Sequence, residues 1–198
     1  MVLGINKIVM KFFDLVAPIY GKIRPGAENI FQKLTSVAEF KSNDIVIDLG
    51  GGAGNLATFF VGKVQDIIVV DPSEQMIRQC GNHSGVSCMV GSGEKLPFAD
   101  GVADKIILVD AFHHIQDQVK TIREIKRVLK PNGVVVFVEY NPATFGGKAV
   151  VIFEKIMRMG STFYKPTDLA SMFSKRGFKT TLFDESKKNY YLVAEKGV

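Results

Sequence analysis

The stretch "VIDLGGGAGNLA", residues 46–57, decides the fold of this chain. It begins as a β-branched hydrophobic strand and runs into a turn that contains Gly50, Gly51, Gly52 and Gly54. Glycine at these positions leaves the backbone bare and open to close approach. A strand that enters a glycine-rich turn and then a helix is how α/β sheets bind nucleotide-like ligands at their carboxyl edge. The sequence therefore predicts a ligand that lies against the backbone of this turn.

Three classes of nucleotide-like ligand compete for the glycine turn. A P-loop requires G-x-x-x-x-G-K-[ST], but the segment from Gly50 to Asn55 has neither the lysine nor the hydroxyl. A dinucleotide site requires G-x-G-x-x-G, and Asn55 stands where the third glycine should be. The spacing present is G-x-G-x-G, preceded by Asp48. The glycine spacing therefore argues against an NAD-dependent oxidoreductase.

Hydrophobic strands and helical patterns alternate after the first strand. The strands that we predict in this part are 44–49, 66–71, 85–90, 104–110 and 133–140. The helices that we predict between them are 54–62, 73–80 and 116–129. This alternation is typical of right-handed βαβ units around a parallel sheet.

The pattern loosens after residue 140. A helix is predicted over 147–159, and a second capped helix follows and ends at Gly177. Two further strands are predicted, 178–184 and 189–196, joined by the short polar connection "ESKK". Such a connection favours an antiparallel hairpin, which we place at the edge of the sheet.

Composition limits the classes of protein to consider. The chain has 198 residues, 46% of them hydrophobic, which suits one domain with a sizeable core. The net charge of +5 is spread along the chain and forms no basic arm for nucleic acid. Cys80 and Cys88 fit neither a C-x-x-C redox or zinc spacing nor a disulfide-rich scaffold. We therefore expect reduced cysteines, a cytoplasmic location and no metal site.

The N-terminal segment "KIVMKFFDLVAPIYGKI" is apolar but does not predict a membrane span. Lys11 and Asp14 interrupt it, and Pro18 follows. Apolar residues recur at helical spacing and indicate a helix with a broad apolar face. This helix packs on the domain, lies over a ligand pocket, or makes peripheral contact with a membrane surface.

Four ordered segments carry a family resemblance. The G-x-G-x-G turn with Asp48 resembles motif I of the class I S-adenosylmethionine-dependent methyltransferases. "GSGEKLPFADGVADKIIL" (91–108) is similar to the D-A-E-x-L-P-F-x-D-x-x-F-D segment of the methyltransferases related to the ubiquinone and menaquinone C-methyltransferases, the type 11 family. "AFHHI" (111–115) and residues 122–139 resemble the next two blocks of that family, and "VMKFFDLVAPIYG" resembles its N-terminal helix.

The resemblance implies an architecture. The fold would be α/β and Rossmann-like, with a seven-stranded, mostly parallel sheet, an antiparallel C-terminal hairpin and helices on both faces. One domain would span 1–198, with an N-terminal helical lid (1–40), a cofactor-binding core (41–140) and acceptor-side helices with the hairpin (141–198). The implied activity is transfer of a methyl group from S-adenosyl-L-methionine to an acceptor.

The resemblance also implies the residues that hold the cofactor. Asp71 ends the second strand, where its carboxylate would accept hydrogen bonds from both ribose hydroxyls. Pro72 and Met76 would pack on the adenine, and Tyr20 would close the lid. The full implied set is Tyr20, Asp48, Gly50, Gly51, Gly52, Gly54, Asp71, Pro72, Met76, Ser92, Gly93, Glu94, Val109 and Asp110.

Two positions depart from the family pattern. Ser92 stands where the family has an aspartate that faces the adenine, and Gly21 follows Tyr20 where the family has an aspartate. A hydroxyl binds the exocyclic amine more weakly than a carboxylate does. These departures motivate an alternative function, a partner or regulatory module that binds the cofactor without turnover.

Candidate catalytic residues lie beyond the fourth strand. Asp110 and His113 are placed at the carboxyl edge of the sheet, where a base could take a proton from the acceptor. Asp110 either faces the acceptor or caps the turn into the next helix. His113 and His114 have a structural role as the alternative. Glu139, at the end of the fifth strand, either faces the pocket or pairs with a lysine.

The acceptor is predicted to be a small molecule. The [DNS]-P-P-[YF] signature of exocyclic-amine methylation in DNA is absent, since the chain reads Asp110-Ala111-Phe112-His113. Neither cysteine is placed for pyrimidine C5 chemistry, so nucleic-acid substrates are disfavoured. Aromatic residues that we place at the pocket mouth favour an apolar or aromatic acceptor, with simple core packing as the alternative: Phe12, Phe13, Tyr20, Phe145, Phe153 and Phe163.

Overall fold

The structure, a computed structural model, describes Leu15, residues 26–183 and residues 189–197. Tyr20, nearly all of the predicted N-terminal helix and the "ESKK" connection lie outside these residues. Within the described part of the chain, no helix has both the length and the apolar character that a bilayer crossing needs.

Seven strands form one sheet. They are β1 (Ile45–Leu49), β2 (Asp66–Asp71), β3 (Ser87–Val90), β4 (Ala103–Val109), β5 (Leu129–Tyr140), β6 (Phe178–Phe183) and β7 (Asn189–Lys196). Their order across the sheet is β3-β2-β1-β4-β5-β7-β6. The first five strands pair in parallel, whereas β7 is antiparallel to both of its neighbours. The predicted fold class and the C-terminal hairpin at the sheet edge are confirmed.

Helices connect the strands. The α-helices are α1 (Ala27–Val37), α2 (Glu74–Cys80), α3 (Gln118–Val128), α4 (Phe145–Ile156) and α5 (Pro166–Ser174). Two 3₁₀ helices span Ala57–Phe60 and Phe112–His114. The helix predicted over 54–62 is thus shortened to one 3₁₀ turn. Gly54 and Gly62 take positive φ angles of 76° and 74° on either side of it, which leaves too few helical residues for an α-helix.

The core has two halves, one on each face of the sheet. On one face, Ile125 of α3 and Phe173 of α5 are fully buried against the strands. On the other face, Leu34 of α1 and Phe60 of the first 3₁₀ helix are equally buried. Strands covered on both faces explain why the sequence shows near-continuous hydrophobic runs instead of alternation.

The two cysteines correct one expectation. Cys80 ends α2 and Cys88 lies in β3, and the two form a disulfide with their Cα atoms 6.1 Å apart. The prediction of reduced cysteines is therefore wrong for this structure. The spacing rules fail here because α2 packs beside β3, so tertiary packing brings together two residues that no motif pairs. The cellular compartment stays a prediction.

Candidate functional site

A cavity of about 310 Å³ opens at the carboxyl edge of β1, β2 and β4. This volume lies within the usual range for small-molecule sites. Of the predicted cofactor residues, those that line the cavity are Gly50, Gly51, Gly52, Asp71, Pro72, Met76, Ser92, Gly93, Glu94, Val109 and Asp110. The structure therefore brings together in one cavity residues from four separate parts of the sequence.

The glycine turn forms the floor of this cavity. Gly50 and Gly52 take positive φ angles of 77° and 57°, which disfavour other residues. At Gly51 a Cβ atom would lie 2.5 Å from Oδ2 of Asp48. Asp48 is buried at 1% exposure behind the turn and does not line the cavity. Gly54 does not line it either, so for these two residues a direct role stays a prediction.

Asp71 is fixed at the end of β2 by backbone donors. Its Oδ2 accepts a hydrogen bond from the Gly52 N–H at 3.0 Å, and its Oδ1 accepts one from the Ser73 N–H at 2.9 Å. A carboxylate has about four acceptor positions, so it can accept more than two hydrogen bonds. The same side chain can therefore shape the glycine turn and bind a ribose.

The opposite wall is held by α2 and α3. Ser73 caps α2 by accepting the Met76 N–H at 3.1 Å, which places the buried Met76 side chain against the cavity. The segment 91–101 is tied to α3: Glu124 accepts the Leu96 N–H at 2.9 Å, and Arg127 pairs with Glu124 at 2.8 Å. The sequence-predicted Ser92-to-Glu94 border of the cavity is thus anchored from α3.

His113 occupies the far end of the cavity, between two carboxylates. Its Nδ1 lies 2.5 Å from Oε2 of Glu139, and its Nε2 lies 3.5 Å from Oε1 of Glu154. Oε1 of Glu139 accepts the Phe112 N–H at 2.8 Å. Glu139 is 3% exposed and is not among the described residues that line the cavity. Its ion pair within the described part of the chain is with His113 and not with a lysine. Its partner is the histidine, an arrangement that the sequence did not predict.

The two histidines differ in charge. Burial opposes protonation of His113, but the negative charges of Glu139 and Glu154 outweigh it and raise the pKa of His113 to about 10. Burial and the neighbouring charge of His113 lower the pKa of His114 to about 3. At neutral pH the His113 ring carries a proton, whereas the His114 ring is neutral.

Asp110 stands between the cofactor end and the histidines. Its φ angle of 53° is left-handed, unusual for a residue with a side chain. Its backbone N–H continues the sheet by donating to the Val138 carbonyl at 2.9 Å, and the Tyr140 hydroxyl donates to its Oδ2 at 3.4 Å. Asp110 lines the cavity.

Sequence reasoning missed Glu154 as a functional residue. It lies on α4, lines the cavity and is 8% exposed. The signal was a single carboxylate within the apolar segment "VVIFEKIM". Phe153 and Met159 complete this wall. Of the aromatic residues placed at the pocket mouth, Phe153 lines the cavity, whereas the described Phe145 and Phe163 do not.

Comparison with known proteins gives the context for this site. Residues 47–137 match the family model for a methyltransferase domain. The chain is 34% identical over 113 residues to the uncharacterised methyltransferase YcgJ of Bacillus subtilis (strain 168), which covers 54% of this chain and 45% of that protein. It is 31% identical over 112 residues to the ubiquinone/menaquinone biosynthesis C-methyltransferase UbiE of Rubrivivax gelatinosus, covering 56% of this chain and 45% of that protein. The chain thus spans less than half the length of these relatives.

The solved structure of YcgJ from Bacillus subtilis shares the fold. It aligns with a TM-score of 0.72 over 86% of this chain and 99% of that one, at 20% identity. At this identity the likeness concerns the fold alone.

Proposed function

Because this chain carries a methyltransferase domain with the class I fold, we propose that it transfers the methyl group of S-adenosylmethionine to a small acceptor molecule. The observation that supports this most is the bare glycine floor beside Asp71 in a single cavity. When bound, S-adenosylmethionine supplies a methyl group already activated by its sulfonium. The protein has to bind the cofactor, orient the acceptor towards the methyl group and exclude water.

The residues of the cavity fit this cofactor. The turn at Gly50 to Gly52 leaves space for the methionyl and ribose parts, and the Asp71 carboxylate, held by the Gly52 and Ser73 N–H groups, is an acceptor that suits ribose hydroxyls. Met76 and Pro72 offer an apolar surface for the adenine. Ser92 borders the same end, where its hydroxyl replaces the carboxylate of the family pattern.

Asp110 and His113 have different roles at the acceptor end of the cavity. His113 keeps its proton between Glu139 and Glu154 at neutral pH, so it is a poor base. Its positive charge at the cavity wall suits an acceptor that becomes negative, such as a phenolate or an enolate. Asp110 lines the cavity and is the carboxylate that we propose takes up the acceptor proton.

The apolar part of the wall favours an apolar or aromatic acceptor. Phe153 and Met159 line the cavity beside the polar groups of His113 and Glu154. A mostly apolar wall with a few fixed polar groups is typical of sites that orient a small organic molecule. We therefore propose an acceptor of this class.

Calorimetric titration with S-adenosylhomocysteine tests the proposal. We expect saturable binding that Asp71→Ala weakens more than tenfold, because the variant loses both the ribose acceptor and the support of Gly52. Asp66→Ala is the control, since Asp66 is exposed at the opposite end of the same strand. Absence of binding to the wild-type protein would contradict the proposal.

Turnover separates an enzyme from a module that only binds. Incubation of the protein with S-adenosylmethionine and a panel of phenols, quinols and amines should yield a methylated product. Binding without product across such a panel would favour the non-catalytic alternative. Enhancement of NADH fluorescence by the protein would instead revive the oxidoreductase interpretation.

A further inference from the structure

Three side chains at the acceptor end converge on one point. Nε2 of His113 lies 3.5 Å from Oε1 of Glu154, and Nδ1 of His114 lies 3.9 Å from Oε2 of the same carboxylate. The ligand atoms that the three residues offer all lie within 4.8 Å of one another. Donor atoms at about 2.0 to 2.2 Å around a tetrahedral metal are roughly 3.4 Å apart, so small side-chain movements close this set around an ion.

The first histidine is oriented as a metal ligand is. Nδ1 of His113 faces Glu139, which directs Nε2 towards Glu154 and the cavity. Glu139 is itself fixed by the Phe112 N–H. A ligand histidine whose other ring nitrogen donates to a carboxylate is the usual outer-shell arrangement of zinc sites.

The carboxylate of Glu154 lacks a full set of partners. The residue is 8% exposed, and its Oε2 is buried with no hydrogen bond from a described residue. A buried carboxylate oxygen without a donor is costly, and a cation would satisfy it. Nδ1 of His114 lies 3.9 Å from this oxygen.

We propose that His113, His114 and Glu154 bind a divalent transition-metal ion of the zinc type in the wall of the cavity. Two imidazoles and one carboxylate suit such an ion, whereas Mg²⁺ and Ca²⁺ prefer oxygen ligands throughout. Binding releases the proton on Nε2 of His113 to solvent, and the charge of the metal ion then takes the place of the imidazolium charge at the acceptor end. Nδ1 of His114 exchanges its 3.0 Å hydrogen bond with the Ser161 hydroxyl for the metal.

Three protein ligands leave a coordination position open, as in catalytic zinc sites. All three residues line the cavity, so the open position is available to the acceptor. The metal would bind an oxygen or nitrogen of the acceptor and favour its deprotonated form. This role rests on the proposed methyl transfer, whereas the binding of the metal does not. No sequence motif indicates this site, because Glu154 lies 40 positions after His114.

Titration of Zn²⁺ into the full, tag-free chain after dialysis against a chelator tests the site. We expect one saturable equivalent per chain, weakened more than tenfold by Glu154→Gln. Glu139→Gln keeps all three ligands and should still weaken binding about 10- to 100-fold, since it removes the charge that orients His113. His83→Asn is the matched control, because His83 lies in the turn after α2, away from the cavity, and its variant should bind as the wild type does.

The same samples are titrated with S-adenosylhomocysteine, which separates this inference from the proposed function. Cofactor binding without saturable Zn²⁺ binding would overturn the metal site and leave methyl transfer intact. Zn²⁺ binding without cofactor binding would overturn the proposed methyl transfer and leave the metal site intact. Equal Zn²⁺ affinity in the wild type and Glu154→Gln would also overturn the site. If Glu154→Gln does not fold, as judged by circular dichroism, His114→Phe takes its place with the same expected loss.

Discussion

At the scale of the residue, Gly51 shows how the glycine turn is adapted to one neighbour. A Cβ atom there would lie 2.5 Å from Oδ2 of Asp48, and the buried aspartate has little room to withdraw. We expect Gly51→Ala to weaken S-adenosylhomocysteine binding more than tenfold, because either the turn or Asp48 has to shift. Isothermal titration calorimetry measures the loss.

Gly81→Ala serves as the control for this prediction. Gly81 has an ordinary φ of −59°, and its Cβ would meet only carbonyl oxygens at 3.6 and 3.7 Å, which is normal contact. Alanine should be tolerated there with unchanged affinity. Equal affinity of Gly51→Ala and the wild type would show that the turn does not need a bare backbone at residue 51.

Single residues also mark the limit of what the sequence predicts. The glycine positions and Asp71 were predictable because the sequence pattern places them at the carboxyl ends of the first two strands. The partner of Glu139 was not, since two alternatives were open and the structure shows a third, His113. Glu154 was not predictable either, because its contact with His113 depends on how α4 packs over the sheet.

At the scale of the element, α3 holds the segment that borders the cavity. Arg127 donates to the carbonyls of Leu96 at 3.2 Å and Phe98 at 2.8 Å, and it pairs with Glu124. Loss of hydrogen bonds to a charged group costs about 1.5 to 3 kcal/mol, so Arg127→Met should lower the Tm by about 3 to 12 °C. It should also weaken cofactor binding. Arg123→Met, exposed on the same helix, is the control and should change neither.

The ion pair between Arg127 and Glu124 should make the stability of the protein depend on pH. The hydrogen bond from Arg127 holds the pKa of Glu124 below its usual 4.5, although burial opposes this. A carboxyl whose folded pKa is lowered stabilises the protein above the unfolded value and loses that contribution as the pH falls through the folded value. The difference in Tm between wild type and Arg127→Met should therefore narrow below pH 4.5. A difference that stays constant into acid would exclude this role of the pair.

The disulfide links α2 to β3 across a sequence separation of 8 residues. Closing a loop of this size stabilises a protein by about 2 to 3 kcal/mol. We expect a reducing agent to lower the Tm of the wild type. Cys88→Ser should have about the Tm of the reduced wild type, and a reducing agent should not lower it further. Mass spectrometry after alkylation checks the bond directly: two alkylated thiols without prior reduction would mean that Cys80 and Cys88 are not joined.

At the scale of the whole molecule, the sequence predicts the sheet and its strand pairing better than the contacts between distant elements. Near-continuous hydrophobic strands and short polar connections indicated the seven-stranded sheet and the C-terminal hairpin, and the structure confirms both. These features depend on local pattern and on the handedness of βαβ units. The disulfide and the acceptor wall depend on the packing of distant elements, which no local pattern encodes.

One sheet shared by both halves of the core predicts one cooperative transition. Phe173 and Phe60 are buried in the two halves of the core, which share the same sheet, so unfolding of either half would expose strands that the other half covers. A ligand at 100 times its Kd adds about 2.7 kcal/mol, which for a chain of this size should raise the Tm by roughly 5 to 11 °C. Scanning calorimetry with S-adenosylhomocysteine should show the entire transition moving upward. At the same ligand concentration Asp71→Ala, weakened more than tenfold, should gain less than about 1.4 kcal/mol, so its Tm should rise by less than about half as much. Two separate transitions, or a shift confined to part of the heat, would mean that the cavity and the core fold independently.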